Sequence, residues 1–273
     1  HRMSAILTLA VSEWRVGRRS RWVLISGIAL ALFALILTLL GSAPAGSVKA
    51  SPVAVATVSL TTLFVYLIPL LALLLAQDAI AGESERGTLI LLLTYPLPRA
   101  GLLAGKFVGH LLILMTALGI GLATATLVLL THGTPSAEDW HLLIRLALST
   151  VLFAAIYLVL GYVVSGIARD RGAAMAMAFS LWLVTVVLYD LLLLVLLGLG
   201  WLDATFPWML VINPCDAFRL INLGGIPSVE IASGLAAALP DLPLPASGLW
   251  AVLTGWFLAG GALAGTILQR RQA

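Results

Sequence analysis

Six stretches of the chain stay apolar for about twenty residues or more before polar or chain-breaking residues interrupt them, at about residues 22–41, 53–76, 105–130, 142–166, 173–199 and 248–268. A helix rises about 1.5 Å per residue, so runs of roughly 20 match the hydrocarbon thickness of a bilayer. Backbone amides in hydrocarbon must bond within their own segment, which makes each run a helix. The pattern predicts an all-α membrane protein with six transmembrane helices. Residues 1–273 read as one transmembrane domain. The connections at 41–52, 77–104, 131–141, 168–172 and 200–247 are rich in Gly, Pro and polar residues. Only the second and fifth have room for structure of their own.

Composition agrees with this pattern. Hydrophobic residues make up 61% and charged residues 10% of the chain, far outside what a soluble domain buries. The net charge of +3 is no argument for nucleic acid, because in a membrane protein the placement of basic residues carries the information. Eleven Lys and Arg residues fall on one side: Arg15, Arg18, Arg19, Arg21, Arg86, Arg99, Lys106, Arg169, Arg171, Arg270 and Arg271. Only Lys49, Arg145 and Arg219 fall on the other. Both termini and the 77–104 loop are therefore expected in the cytoplasm of a bacterial inner-membrane protein, with 200–247 outside. Met3 is the expected native start, and no cleavable signal peptide is expected. Residues 4–20 place Ile6, Leu7, Ala10, Trp14 and Gly17 near helical spacing, which suggests an interfacial helix on membrane lipid; the plainer alternative is a basic tail that orients the first span.

Candidate catalytic chemistry fails on inspection. Gly101 to Phe107 has three residues between its glycines where a phosphate-binding loop has four, and Phe107 stands where that loop needs Ser or Thr. There is no HExxH pair and no GxSxG elbow. Cys215 is the only cysteine; a thiolate suits Cu(I), but one soft ligand makes no site, and a packed thiol is the simpler reading. His110, His132 and His141 are isolated in sequence. No catalytic residue, metal ligand or cofactor is expected in this chain.

The segment Asp78 to Lys106 reads DAIAGESERGTLILLLTYPLPRAGLLAGK. It resembles the permease subunits of type-two ABC exporters, with Glu83, Glu85, Gly87, Thr88, Pro96, Arg99, Gly105 and Lys106 matching their pattern. The six spans, the N-terminal interfacial helix and the long last external loop follow the same plan. The resemblance implies a transport subunit that is not itself an enzyme, with ATP and Mg on a separate ATPase. It implies coupling to that ATPase through Glu83, Glu85, Arg86, Gly87, Thr88, Pro96 and Arg99. Local chemistry suggests a short coupling helix capped by Ser84 or Glu83, with Glu85 and Arg86 near its start.

Asn213 to Leu220 is similar to the branch of that family that serves nitrous-oxide reductase maturation. That likeness implies a homodimer with two cytoplasmic ATPase subunits and a periplasmic β-helical, copper-handling partner. It leaves open whether a small sulfur-containing species is exported or motion is passed to the periplasmic partner. A lipid or polysaccharide exporter is one rival; a membrane anchor, which needs no coupling helix, is another. Small residues at Gly27 and Ala173 to Ala178 would let helices approach closely in the dimer.

The 200–247 loop is expected to form short amphipathic helices on the outer face, docking the periplasmic partner through Asn213, Pro214, Asp216, Phe218 and Arg219. Pro214 opens a helical turn in which Asp216 and Arg219 pair on one face. Three prolines from Pro240 onward stiffen the return, and Trp201 and Trp208 suit the outer headgroup layer. A lid over the exit path is the alternative. Asp190 lies near the outer end of its span, where reaching for headgroups is favoured over lining a path.

Overall fold

The computed structural model describes residues 8–15, 28–29, 31–36, 38–39, 51–88, 99–131, 133–201, 205–224, 226 and 243–270. Five helices among them are long and apolar enough to cross a membrane: Pro52–Glu85, Arg99–Thr131, Ala137–Ile167, Arg171–Gly198 and Ala246–Arg270. These match the second to sixth expected spans. The first, at 22–41, is described only in part; the described pieces are helical, with Ala34 buried. Pro96, Gly27, His132 and nearly all of the Leu235 to Leu244 stretch lie outside the described residues.

Residues 8–15 form α1. Further along lie α2 (Pro52–Ala76), α3 (Asp78–Glu85), α4 (Arg99–Thr131) and α5 (Ala137–Ile167), followed by a fifth span in three pieces. That span comprises α6 (Arg171–Trp182), a π-helical segment (Leu183–Leu188) and α7 (Tyr189–Gly198). Two short helices, α8 (Phe206–Ile212) and α9 (Pro214–Leu223), precede the last span, α10 (Ala246–Arg270).

Helix starts are written locally. Ser51 accepts a bond from the Ala54 amide, with Pro52 as the first residue of α2. Ser136 and Asp139 form a reciprocal capping box on α5. Ser51 Oγ also donates to Asp139 Oδ1 at 2.6 Å, so the two caps clamp α2 and α5 together at one end. Glu138 and Asp139, which fall in the connection expected at 131–141, are instead the first turn of a helix that begins before its apolar run. Hydroxyls within the spans bond back to their own helix, as Thr57 does to the Val53 carbonyl at 2.8 Å and Thr150 to the Leu146 carbonyl at 2.6 Å. Those bonds remove a donor that lipid could not satisfy.

α5 is the centre of the bundle, and 61% of its membrane window is buried. Phe153, Ile156, Tyr157, Leu158 and Tyr162 meet Leu60, Phe64, Ile68 and Leu73 of α2 in one cluster, which α9 joins through Phe218. Phe153 and Phe218 stack at 4.4 Å and 7°. Lipid is as apolar as these side chains, so the cluster is held by close fit rather than by escape from water.

Candidate functional site

The end of the bundle that carries Arg86, Lys106, Arg171 and Arg270 holds a charge cluster on buried supports. Lys106, only 5% exposed, donates to Glu13 Oε1 of α1 at 2.9 Å and to Glu83 Oε1 of α3 at 3.2 Å. A buried ammonium is tolerable when it is paired twice in this way. α1 reaches Lys106 because α4 has glycines facing it. A Cβ on Gly105 would lie 2.7 Å from the Leu9 side chain, and one on Gly109 would lie 2.6 Å from Glu13 Cβ and 3.0 Å from the Ala10 carbonyl. Beside them, His110 Nδ1 and the Tyr162 hydroxyl are 2.8 Å apart.

α3 follows the second span after a single turn at Gln77. The Ser165 hydroxyl of α5 accepts its Ile80 and Ala81 amides, both at 2.9 Å, satisfying donors at the helix start. Asp78 pairs with Arg86 at 3.4 Å and with Arg171 at 3.1 Å. Glu85 accepts the Arg171 amide at 3.1 Å.

Of the expected coupling residues, Glu83, Glu85, Arg86, Gly87 and Thr88 lie together here, with one correction. Glu83 and Ser84 lie in the last turn of α3 rather than capping a helix start: α3 ends at Glu85, with Arg86 as its C-cap, and Thr88 is helical again where the described residues stop. Gly87 then takes φ +70°, the left-handed conformation that suits a residue without Cβ. Thr88 turns back to donate to both the Glu83 carboxylate and its carbonyl, the latter at 3.2 Å. α3 itself was not expected because 77–104 read as a connection rich in breakers, whereas Ser165 satisfies the amides at its start. Arg99 lies elsewhere, donating to the Leu268 and Gln269 carbonyls at 3.1 and 2.8 Å, where it caps the last span. Residues 89–98, Pro96 included, lie outside the described residues. Glu13, Asp78 and Arg171 were not singled out from sequence; no local pattern joins residues so far apart.

At the other end residues 205–224, the main described part of the 200–247 loop, depart from expectation. α8 and α9 do not lie on the outer face; they form a hairpin that dips into the bundle. The Tyr157 hydroxyl is 3.0 Å from Cys215 Sγ, and Ser149 Oγ meets Asn222 Oδ1 at 3.2 Å. Tyr157 lies about 30 Å and Ser149 about 18 Å along α5 from Ala137, so α9 rises antiparallel to α5 from its deep turn. Asn213, Pro214, Asp216, Phe218 and Arg219, expected to face a partner, are all buried. The sequence reading missed this because α9 has both a polar and an apolar face, and both are covered by protein.

Pro214 does open α9, with Asn213 as its cap. The expected Asp216–Arg219 pair forms at 2.7 Å. The same Arg219 Nη1 donates to Asp190 Oδ2 at 3.1 Å, so Asp190 is paired inside the protein rather than reaching for headgroups. Asn213 Nδ2 donates to Asp216 Oδ2 at 3.1 Å and to the Thr185 carbonyl in the π-helical segment at 3.0 Å. Cys215 is a buried free thiol; among the described residues no group of three or more His, Cys, Asp or Glu could hold a metal ion. Ala174 and Ala178, expected at a dimer contact, are buried within this chain, Ala174 beside Ala81 of α3.

Comparison with known proteins agrees with this architecture. The family described as ABC-2 family transporter protein matches residues 7–263. The "Probable ABC transporter permease protein NosY" of Stutzerimonas stutzeri is 39% identical over 274 residues, covering 98% of this chain and 99% of that protein. The protein of the same name from Pseudomonas aeruginosa PAO1 is 42% identical over 275 residues, with the same coverage. A multi-pass helical bundle matched from end to end by permease subunits is a permease subunit and not itself the ATPase, and the chain belongs to the ABC-2 family of transporter permeases.

Proposed function

We propose that this permease is the membrane half of an ATP-driven complex in nitrous-oxide reductase maturation, working as a homodimer with two ATPase subunits. ATP and Mg act on those subunits, and Glu83, Glu85, Arg86, Gly87, Thr88, Pro96 and Arg99 form or flank the loop that receives their motion. The observation that carries this reading is the Lys106 cluster. It fastens α3 to α1 and α4, so a push on the loop after Glu85 moves several helices rather than one flexible strand. Both termini and this basic end face the cytoplasm, in keeping with the distribution of Lys and Arg. With 22–41 as a further span, the chain crosses the membrane six times.

On the outer side the complex exports a small, sulfur-containing species or drives a periplasmic β-helical, copper-handling partner. The burial of α9 favours a hairpin that plugs or braces the exit. The surface for a partner then belongs to the parts of the 200–247 loop around it. A membrane anchor would have no use for the clustered charges at α3. A lipid or polysaccharide exporter remains the rival within transport, separable by substrate.

The test is the double variant Glu85→Lys with Arg86→Glu in the assembled complex. We expect the ATPase to stay bound while maturation of the copper enzyme stops. Bound ATPase with unchanged ATP turnover and full maturation would show that this loop does not couple. Native mass spectrometry is expected to give two permeases per two ATPases; one permease per two ATPases contradicts the dimer.

A further inference from the structure

The described spans are not equally held. Within one copy of the chain, 11% of the apolar stretch of the fifth span, Arg171–Gly198, is buried, against 61% for α5. A helix with so few buried side chains can shift as a unit except where specific bonds fasten it. Those bonds lie at three heights. At the basic end, Arg171 reaches Asp78 at 3.1 Å and its amide donates to Glu85 at 3.1 Å, so both contacts are with α3. Midway, Trp182 Nε1 donates to the Tyr66 carbonyl of α2 at 2.9 Å. Beyond that point the Tyr157 hydroxyl of α5 donates to Thr185 Oγ1 at 3.0 Å, and the hairpin supplies further bonds. Asn213 bonds the Thr185 carbonyl, Arg219 bonds Asp190, and the Tyr189 hydroxyl donates to the Met209 carbonyl at 2.6 Å.

The π-helical segment Leu183–Leu188 lies between the Trp182 contact and the bonds to Asp190 and Tyr189. A π turn is a local departure from the i to i−4 ladder, and a side chain can insert there without breaking a regular helix. Asn213 makes such an insertion from the tip of the hairpin. The outer half of the fifth span is therefore tied to α8 and α9 by three polar bonds, in surroundings where broken polar bonds are costly. The inner end is tied to α3.

We propose that the fifth span is a linkage between α3 and the hairpin, pivoting where Trp182 meets Tyr66, with Asn213 and Arg219 as the positioning residues that carry its motion into α8 and α9. The linkage rests on the reading that α3 and the loop after it receive the ATPase stroke. It supplies what that reading lacks, a route to the opposite face.

Amide hydrogen exchange on the permease with its ATPase, nucleotide-free against ATP with vanadate, tests it. In the unaltered complex we expect exchange to change at residues 78–88 and at 206–223. In Asn213→Ala and in Asp190→Asn the change at 206–223 should be lost while that at 78–88 persists. Trp182→Phe, which removes the pivot's donor, should also diminish it. A hairpin change of full size in the Asn213 and Asp190 variants would overturn the linkage and leave the coupling reading standing. So would a silent hairpin beside a responding α3 in the unaltered complex. A silent α3 would sink the coupling reading and the linkage together. Should Asn213→Ala fail to assemble, Asp190→Asn decides the same question, because it keeps the side-chain shape and leaves the Arg219–Asp216 pair in place.

Discussion

Asp190 and Arg219, 29 residues apart in the chain, meet at 3.1 Å inside the bundle, one from the fifth span and one from a hairpin dipped beside it. Each alone would be costly among apolar side chains, because a charge without a partner there has lost its water. Together with Asp216 they turn the cost into a constraint on how the hairpin seats, because any other seating leaves a charge without its partner.

Arg219→Ala should therefore be strongly destabilising, by about 3–5 kcal/mol, since it strands two carboxylates rather than deleting a contact. Asp190→Asn should cost clearly less, because Arg219 keeps Asp216. Thermal unfolding of the two variants in detergent checks the order. Equal midpoints would mean that the Asp190 pair accounts for all of Arg219's contribution and the Asp216 pair for none.

Lys106→Met should leave Glu13 and Glu83 close together with no cation between them. We expect α1 to detach, read as faster proteolysis of the N-terminal segment, and a stability loss of about 3–5 kcal/mol. Lys106→Arg should recover part of both. Unchanged proteolysis in the Met variant would show that glycine contacts alone hold α1.

The two α4 glycines should differ in tolerance. Gly105→Ala is crowded most by Leu9 Cδ2, at 2.7 Å, which can turn away, and less by its Cγ and Cβ at 3.1 and 3.2 Å, whereas Gly109→Ala meets Glu13 Cβ at 2.6 Å and the Ala10 carbonyl at 3.0 Å, which cannot swing away. The Gly109 variant should lose about 1–3 kcal/mol and the Gly105 variant less, measured by the same unfolding assay. The reverse order would mean that α1 sits differently on α4.

Phe218→Ala should cost about 3–5 kcal/mol by opening a cavity beside Phe153, and Phe218→Leu noticeably less. The cavity should also expose Cys215. In the unaltered protein that thiol should resist a membrane-permeant maleimide until unfolding, and in Phe218→Ala it should label under native conditions. Mass spectrometry of the intact chain reads both, and prompt labelling of the unaltered protein would contradict its burial.

Much of the molecule could be read from residue order, because a bilayer imposes its rules locally. Span lengths follow from hydrocarbon thickness, and Pro214 marked the start of α9, since caps act over three or four residues; the start that Ser136 caps lies ahead of the apolar run and was not read. The Asp216–Arg219 pair was legible for the same reason, at one helical turn's separation. What only the tertiary structure decided are the meetings across the chain: Lys106 with Glu13 and Glu83, Arg171 with Asp78, Arg219 with Asp190, and Asn213 with the Thr185 carbonyl. A helix with a polar and an apolar face gives the same sequence pattern whether water and lipid cover it or charged and apolar protein does. For that reason α9 read as a surface helix and proved to be an inserted one. Its depth is set by which partners await its charges, and those partners lie on other spans.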